Sequence, residues 1–186
     1  MRIAVYPGSF NPLHIGHMAI MKHLVSGMFF DQVYLVVSPK NPLKDNISAD
    51  SALARFEAAR EALTRHSDIP AQASPVELSM EPPYYTYRTL SYFRSASAED
   101  SFTLVIGGDQ LASFRNWKDY DKILREFGVA VFPREGYDSE ADAASLLDED
   151  PSYKIEIARD FVRVDVSSTE IREKIARGEP VDDLLM

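Results

Sequence analysis

Four short runs in the sequence are almost entirely apolar: residues 3–6 (IAVY), 33–37 (VYLVV), 102–106 (FTLVI) and 129–132 (VAVF). A strand with one wet face alternates apolar and polar side chains; a strand covered on both faces does not. Between these runs lie patterns of helical period. Ile15, Met18, Ala19, Lys22 and Val25 recur at helical spacing, with Gly27 as a stop. Leu53, Phe56 and Leu63 mark one face of a second helix that Ser48 or Asp50 could cap. Further helices are predicted over 87–94, 120–127, 140–147 and 169–177, the last closed by Gly178 and Pro180. Weaker strands are predicted over 73–78 and 161–164. Strands alternating with helices predict an α/β fold with a doubly wound, mainly parallel sheet. In such sheets ligands bind beyond the carboxyl ends of the strands. That rule selects residues 7–17, 38–44, 107–117, 133–137 and 165–172.

Composition limits the classes of function. The 186 residues, 45% of them hydrophobic, suit one domain over 1–186 with a substantial core. There is no cysteine, which excludes disulfides, thiolate metal sites and a cysteine nucleophile. No apolar run approaches the ~18 residues of a membrane helix. Only four apolar residues separate Arg2 from Pro7-Gly8, which is no signal peptide, so a cytoplasmic protein with no membrane partner is expected. A net charge of −9 argues against nucleic acid as a partner, but not against small phosphates bound by a few cations in a cleft.

The stretch PGSFNPLHIGH, residues 7–17, follows the first run directly. Gly8 allows close backbone approach, and Ser9 and Phe10 can present N–H groups. The following helix aims its positive end at the same space, and His14 and His17, three apart, share a face there. Donors, dipole and two imidazoles describe a phosphate site; a turn bearing two surface histidines is the plainer alternative. The stretch is neither GxGxxG nor a Walker A loop, and two histidines three apart lack further zinc ligands, so no metal residue is assigned. Near the other end, VSSTEIR at 166–172 offers Ser167, Ser168 and Thr169 as caps opening a helix, with Arg172 one turn in and able to reach an anion. A simple cap with a solvated Arg would read the same way.

GSFNPLHIGH resembles the GxFxPxHxGH signature of the nucleotidyltransferase superfamily with the (T/H)xGH motif, and VSSTEIR is similar to its ISSTxIR signature. The middle of the chain narrows the resemblance. IGGDQLASFRNWKDYDKIL at 106–124 resembles the GxDxLxxFxxWxxxxxIL segment of bacterial nicotinate-mononucleotide adenylyltransferases. PPYYTYRTL at 82–90 resembles their PSYTxxTL stretch, and VAVFPREGY at 129–137 their strand and loop ending in PRxGY. The matches run from residue 1 to about 180. The resemblance implies a Rossmann-like domain that joins nicotinate mononucleotide to ATP, giving deamido-NAD and pyrophosphate in NAD biosynthesis. It implies that His14, His17 and Arg172 are catalytic and that Gly8, Ser9, Phe10, Lys44, Gly107, Asp109, Ser168 and Thr169 bind ATP. Thr86 and Trp117 would bind the nicotinate nucleotide. Plainer roles exist for several: helix caps for Asp109 and Thr86, a core anchor for Trp117, a surface lysine for Lys44. Mg²⁺ would be held mainly by substrate phosphates, and phosphate charge would favour protonated histidines.

Three features depart from the family pattern. Asn11 stands where Asp is usual, Leu43 where His is common, and the chain reaches Met186 without the C-terminal helix typical of these enzymes. Alternatives within the class are transfer to nicotinamide mononucleotide or pantetheine phosphate. An alternative of another class is a nucleotide-binding sensor without catalysis. Assembly as a homo-oligomer stays open.

Overall fold

A computed structural model describes residues 1–39 and 49–186. Six parallel strands form one sheet: β1 (Arg2–Gly8), β2 (Gln32–Val37), β3 (Ala71–Ser74), β4 (Ser101–Gly107), β5 (Val129–Phe132) and β6 (Ile155–Ile157). Their order is β3-β2-β1-β4-β5-β6, so the connection changes direction between β1 and β4. Register brings Val5 beside both Tyr34 and Leu104, and Ile106 beside Val131. Seven helices accompany the sheet: α1 (Ile15–Ser26), α2 (Ala49–Arg65), α3 (Thr86–Ala96), α4 (Gly108–Ala112), α5 (Tyr120–Lys122), α6 (Ser139–Glu149) and α7 (Ser168–Ala176).

The continuous apolar runs have the expected cause. Ile3 and Val5 of β1 point into one core cluster with Leu90, Leu104 and Phe114, while Ala4 between them joins the other, with Met21, Leu24 and Leu35. Both faces are covered, so no position in the strand calls for a polar side chain.

Several predicted details are corrected. The strand predicted over 73–78 is β3, shifted to Ala71–Ser74; Pro75 has no N–H for the ladder, and the chain turns into a 3₁₀ segment, Val76–Ser79. The strand predicted over 161–164 does not form. Its place beside β5 is taken by β6, where Ile155 pairs with Val129 and Ile157 with Val131. The chain then turns at Asp160, at φ +55°, and leaves the sheet. In α1 the fully buried side chains are Met21 and Leu24, while Lys22 is exposed. In α2, Leu53 is exposed and the buried face is Ala52, Arg55, Ala59, Ala62 and Leu63. Ser48 lies outside the described residues, and Asp50 is already inside α2. The helix predicted over 120–127 is α5 widening into a π-turn, Ile123–Phe127, stopped by Gly128 at φ +83°.

Candidate functional site

The carboxyl ends of β1 and β5 open onto a cavity of about 230 Å³. Tyr6, His14 and His17 form one wall, Phe132 and Arg134 another, and Arg163 and Ser168 close it from the chain leading into α7. Local sequence explains how the histidines are held. His14 is the N-cap of α1, and its Nδ1 accepts the Gly16 N–H at 3.0 Å. His17, three residues on, accepts the His14 N–H on its own Nδ1 at 3.1 Å. The result is a capping box built from two imidazoles. Each Nδ1 is an acceptor, so each ring carries its proton on Nε2 as the remaining donor. The ring centroids lie 3.7 Å apart.

Burial pushes His14 down to about 4 and His17 down to about 3, with His14 and Arg134 adding to the effect on His17. Both rings are therefore neutral donors near neutral pH, rather than the protonated forms that phosphate charge would favour. Burial raises the Tyr6 phenol, against the pull of Arg134.

The backbone around the pair is constrained. Phe10 sits at φ +45°, which tucks its ring edge-on against Tyr6 and His17, at 5.3 and 5.0 Å between centroids. Gly8 permits this, since a Cβ there would lie 2.9 Å from Phe10 Cζ. A Cβ on Gly16 would lie 2.8 Å from the His14 ring.

The second motif is fastened to the first. Ser167 caps α7, accepting the Glu170 N–H at 3.1 Å. Ser168 Oγ donates to the Pro12 carbonyl at 3.0 Å, and Arg172 donates to the Asn11 carbonyl at 2.6 Å and to Thr169 Oγ1 at 3.1 Å. Arg172 therefore grips the histidine loop rather than lining the cavity. Position 11 enters this contact through its carbonyl, which Asn and Asp offer alike.

The remaining predicted residues are spread around this centre. Gly107 stands beside Arg134: a Cβ there would meet Asp109 Oδ1 at 2.5 Å and Arg134 Nε at 3.1 Å. Gly107, not Asp109, is the N-cap of α4, and the Asp109 carboxylate lies 3.8 Å from Arg134. Thr86 is the first residue of α3 rather than its cap, which is Tyr85. Trp117 is half-buried against Phe114, 4.8 Å between rings. Neither Thr86 nor Trp117 lines the cavity. Lys44 and Leu43 lie outside the described residues. Tyr6, Arg134 and Arg163 gain a place that no role was predicted for. Arg134 falls in a strand-end loop that the sequence rule had selected; Arg163 falls in the segment read as a strand.

Neutral N–H donors, two arginines and a helix N-terminus around a small cavity suit a ligand carrying several anionic oxygens. Among the described residues, no three His, Asp or Glu side chains are grouped to hold a metal ion. No helix among them is long and apolar enough to cross a membrane.

A sheet of this order with paired histidines after β1 and a serine-rich cap opening α7 defines a class, and the cytidylyltransferase-like family model matches residues 5–174; the chain belongs to that family. Its relatives narrow the class. A protein of Cytophaga hutchinsonii named "Probable nicotinate-nucleotide adenylyltransferase" is 33% identical over 97% of this chain and 89% of its own length. One of the same name from Flavobacterium psychrophilum is 34% identical over 100% and 92%. The Plasmodium falciparum nicotinic acid mononucleotide adenylyltransferase complexed with NaAD shares the fold, with a TM-score of 0.73 at 18% identity over 98% of this chain and 87% of that one.

Proposed function

We propose that the protein transfers the adenylyl group of ATP to nicotinate mononucleotide, releasing pyrophosphate and forming deamido-NAD. The observation that carries this reading is the joining of the two motifs: Ser168 and Arg172 bond to the carbonyls of Pro12 and Asn11, immediately before the two histidines. The full-length relatives named for this activity support the choice of acceptor.

The attacking oxygen belongs to the acceptor's phosphate, which is ionised near neutral pH, so no strong base is needed. The protein's task is to align two polyanions and offset charge developing at the α-phosphorus. His14 and His17 donate from Nε2 to the phosphates. The N–H groups of Ser9 and Phe10, next to Gly8, add backbone donors. Arg134 and Arg163 supply fixed positive charge. Asp109 takes a ribose hydroxyl, with Gly107 letting the nucleoside approach. Ser168 and Thr169 present the α7 N-terminus, held by Arg172. Thr86 and Trp117 serve the pyridine carboxylate and ring of the acceptor, and Lys44 the triphosphate. The cavity offers N–H and guanidinium donors, not hard oxygen ligands, so it does not itself fit Mg²⁺; that ion would travel on substrate phosphate oxygens, where it neutralises charge.

The test compares nicotinate mononucleotide, nicotinamide mononucleotide and pantetheine phosphate at equal ATP, following pyrophosphate. The acid is expected to be preferred strongly. Preference for the amide or for pantetheine phosphate overturns the acceptor assignment. ATP binding with no acceptor-dependent pyrophosphate identifies a sensor.

A further inference from the structure

A buried cation with no counter-ion among the described residues stands behind the histidine loop. Arg55, on α2, is only 6% exposed, and no carboxylate lies within ion-pair distance of it among the described residues. Its guanidinium instead holds backbone carbonyls from two loops: Ser9 at 2.6 Å, Ser38 at 3.0 Å and, more weakly, Pro39 at 3.4 Å. Its Nε has no partner among the described residues. Ser38 in turn donates its N–H to the Gly8 carbonyl at 2.9 Å, which closes the link between the ends of β1 and β2.

Buried charges are normally paired, because an isolated one is costly to desolvate. An arginine held in this state by three carbonyls asks what offsets it. Peptide geometry gives an answer. In a planar trans peptide the carbonyl and the next N–H point in opposite directions. Pinning the Ser9 carbonyl toward the Arg55 guanidinium therefore turns the Phe10 N–H away from it. Among the described residues, the N–H groups of Ser9 and Phe10 engage no acceptor. Arg55 thus orders the Phe10 donor directly and, through Ser38, braces the Gly8 carbonyl that precedes the Ser9 N–H, while no carboxylate among the described residues offsets its charge.

We infer that Arg55 is a positioning residue for the polyphosphate: by holding the Ser9 and Ser38 carbonyls it sets the Ser9–Phe10 turn whose N–H groups meet the phosphates, and its buried charge favours the anion bound there. This rests on the adenylyl-transfer reading above. It predicts a selective defect, falling on the phosphates and not on the nucleoside.

The experiment measures ATP and adenosine affinity by calorimetry for the wild type, Arg55→Lys and Arg55→Met, each checked for a cooperative melt. Arg55→Met is expected to lose about tenfold or more in ATP affinity, with adenosine affinity unchanged; tenfold is about 1.4 kcal/mol. Arg55→Lys keeps the charge but not the fork, and should fall between. A folded Arg55→Met that binds ATP as the wild type does, or loses ATP and adenosine alike, overturns the inference. The wild type gives a second readout that needs no variant. The Ser9 and Phe10 amide resonances should move with ATP and stay in place with adenosine, and equal response to both overturns the inference too. A wild type that binds no ATP at all is a failure of the adenylyl-transfer reading instead.

Discussion

The two histidines do more than donate. Each closes the cap of the helix that carries it, so position and chemistry are set by the same ring. His17→Ala removes one donor and half of this box, and should lower kcat more than it raises the KM for ATP, as initial-rate kinetics will report. Gly16→Ala is a finer probe. The added methyl would press on the His14 ring at 2.8 Å, so the ring must shift from its place 3.7 Å from His17 and from its cap on Gly16 N–H. A fall of about tenfold or more in kcat is expected, in keeping with the cost of small misplacements in a site. The same rings set a pH dependence. Folding lowers both pKa values, so below 6.5 the unfolded chain binds protons that the folded chain takes up only near 4 and 3. Their contribution is full above pH 6.5 and is lost as pH falls. The melting temperature of the empty protein should therefore drop from pH 6.5 toward 4.5, before the carboxylates titrate. His14→Asn, which keeps a capping oxygen, should flatten that slope. An unchanged slope would remove the buried neutral ring from the account.

At the scale of elements, α7 is a lever on the loop before α1. Its Ser168 and Arg172 hold the Pro12 and Asn11 carbonyls, and a charged hydrogen bond of this kind is worth about 1.5–3 kcal/mol. Arg172→Ala should reduce stability by about that much in chemical denaturation. It should also raise the KM for ATP while leaving that for the acceptor near wild type. How far these elements were legible follows from what covers them. The four inner strands carry nearly continuous apolar runs because both faces are buried, and they stood out. The edge strands β3 and β6 are short and mixed, reading AQAS and IEI. The alternation in IEI was the available sign of β6, overshadowed by the bulkier Phe161 and Val164, which pack beside the cavity. The buried face of α2 is mostly alanines around an arginine, with Leu63 at one end, so the leucine pattern also picks out Leu53, which is exposed. The histidines were legible because motif and strand end coincide, and Ser168 because its motif opens a helix. Arg55 and Arg163 were not, since a lone arginine in a helix or an irregular segment reads as surface until the chain is folded.

Across the whole molecule the two ends of the sheet divide the work. The carboxyl end gathers His14, His17, Arg134 and Arg163 around the cavity, where cations lack close acidic partners or share one loosely. The opposite end is laced with close ion pairs: Met1 with Asp100 at 2.7 Å, Arg94 with Glu126 at 2.6 Å, and Arg2 with Glu156 at 3.1 Å. A chain of net charge −9 can still take polyanionic substrates, because the cations that line the cavity set the local field there. It also predicts where mutation is harmless to chemistry. Arg2 and Glu156 are both nearly half exposed, and exposed pairs contribute about 0–1 kcal/mol. Arg2 has other holds, on the Met28 carbonyl at 2.9 Å and over the Phe30 ring at 4.4 Å. Glu156→Gln should therefore shift the midpoint of denaturation only slightly, shift it less at high salt, and leave kcat and both KM values at wild-type level. A change in kcat with the midpoint unmoved would mean that the two ends are coupled through β5 and β6, against the division argued from their charges.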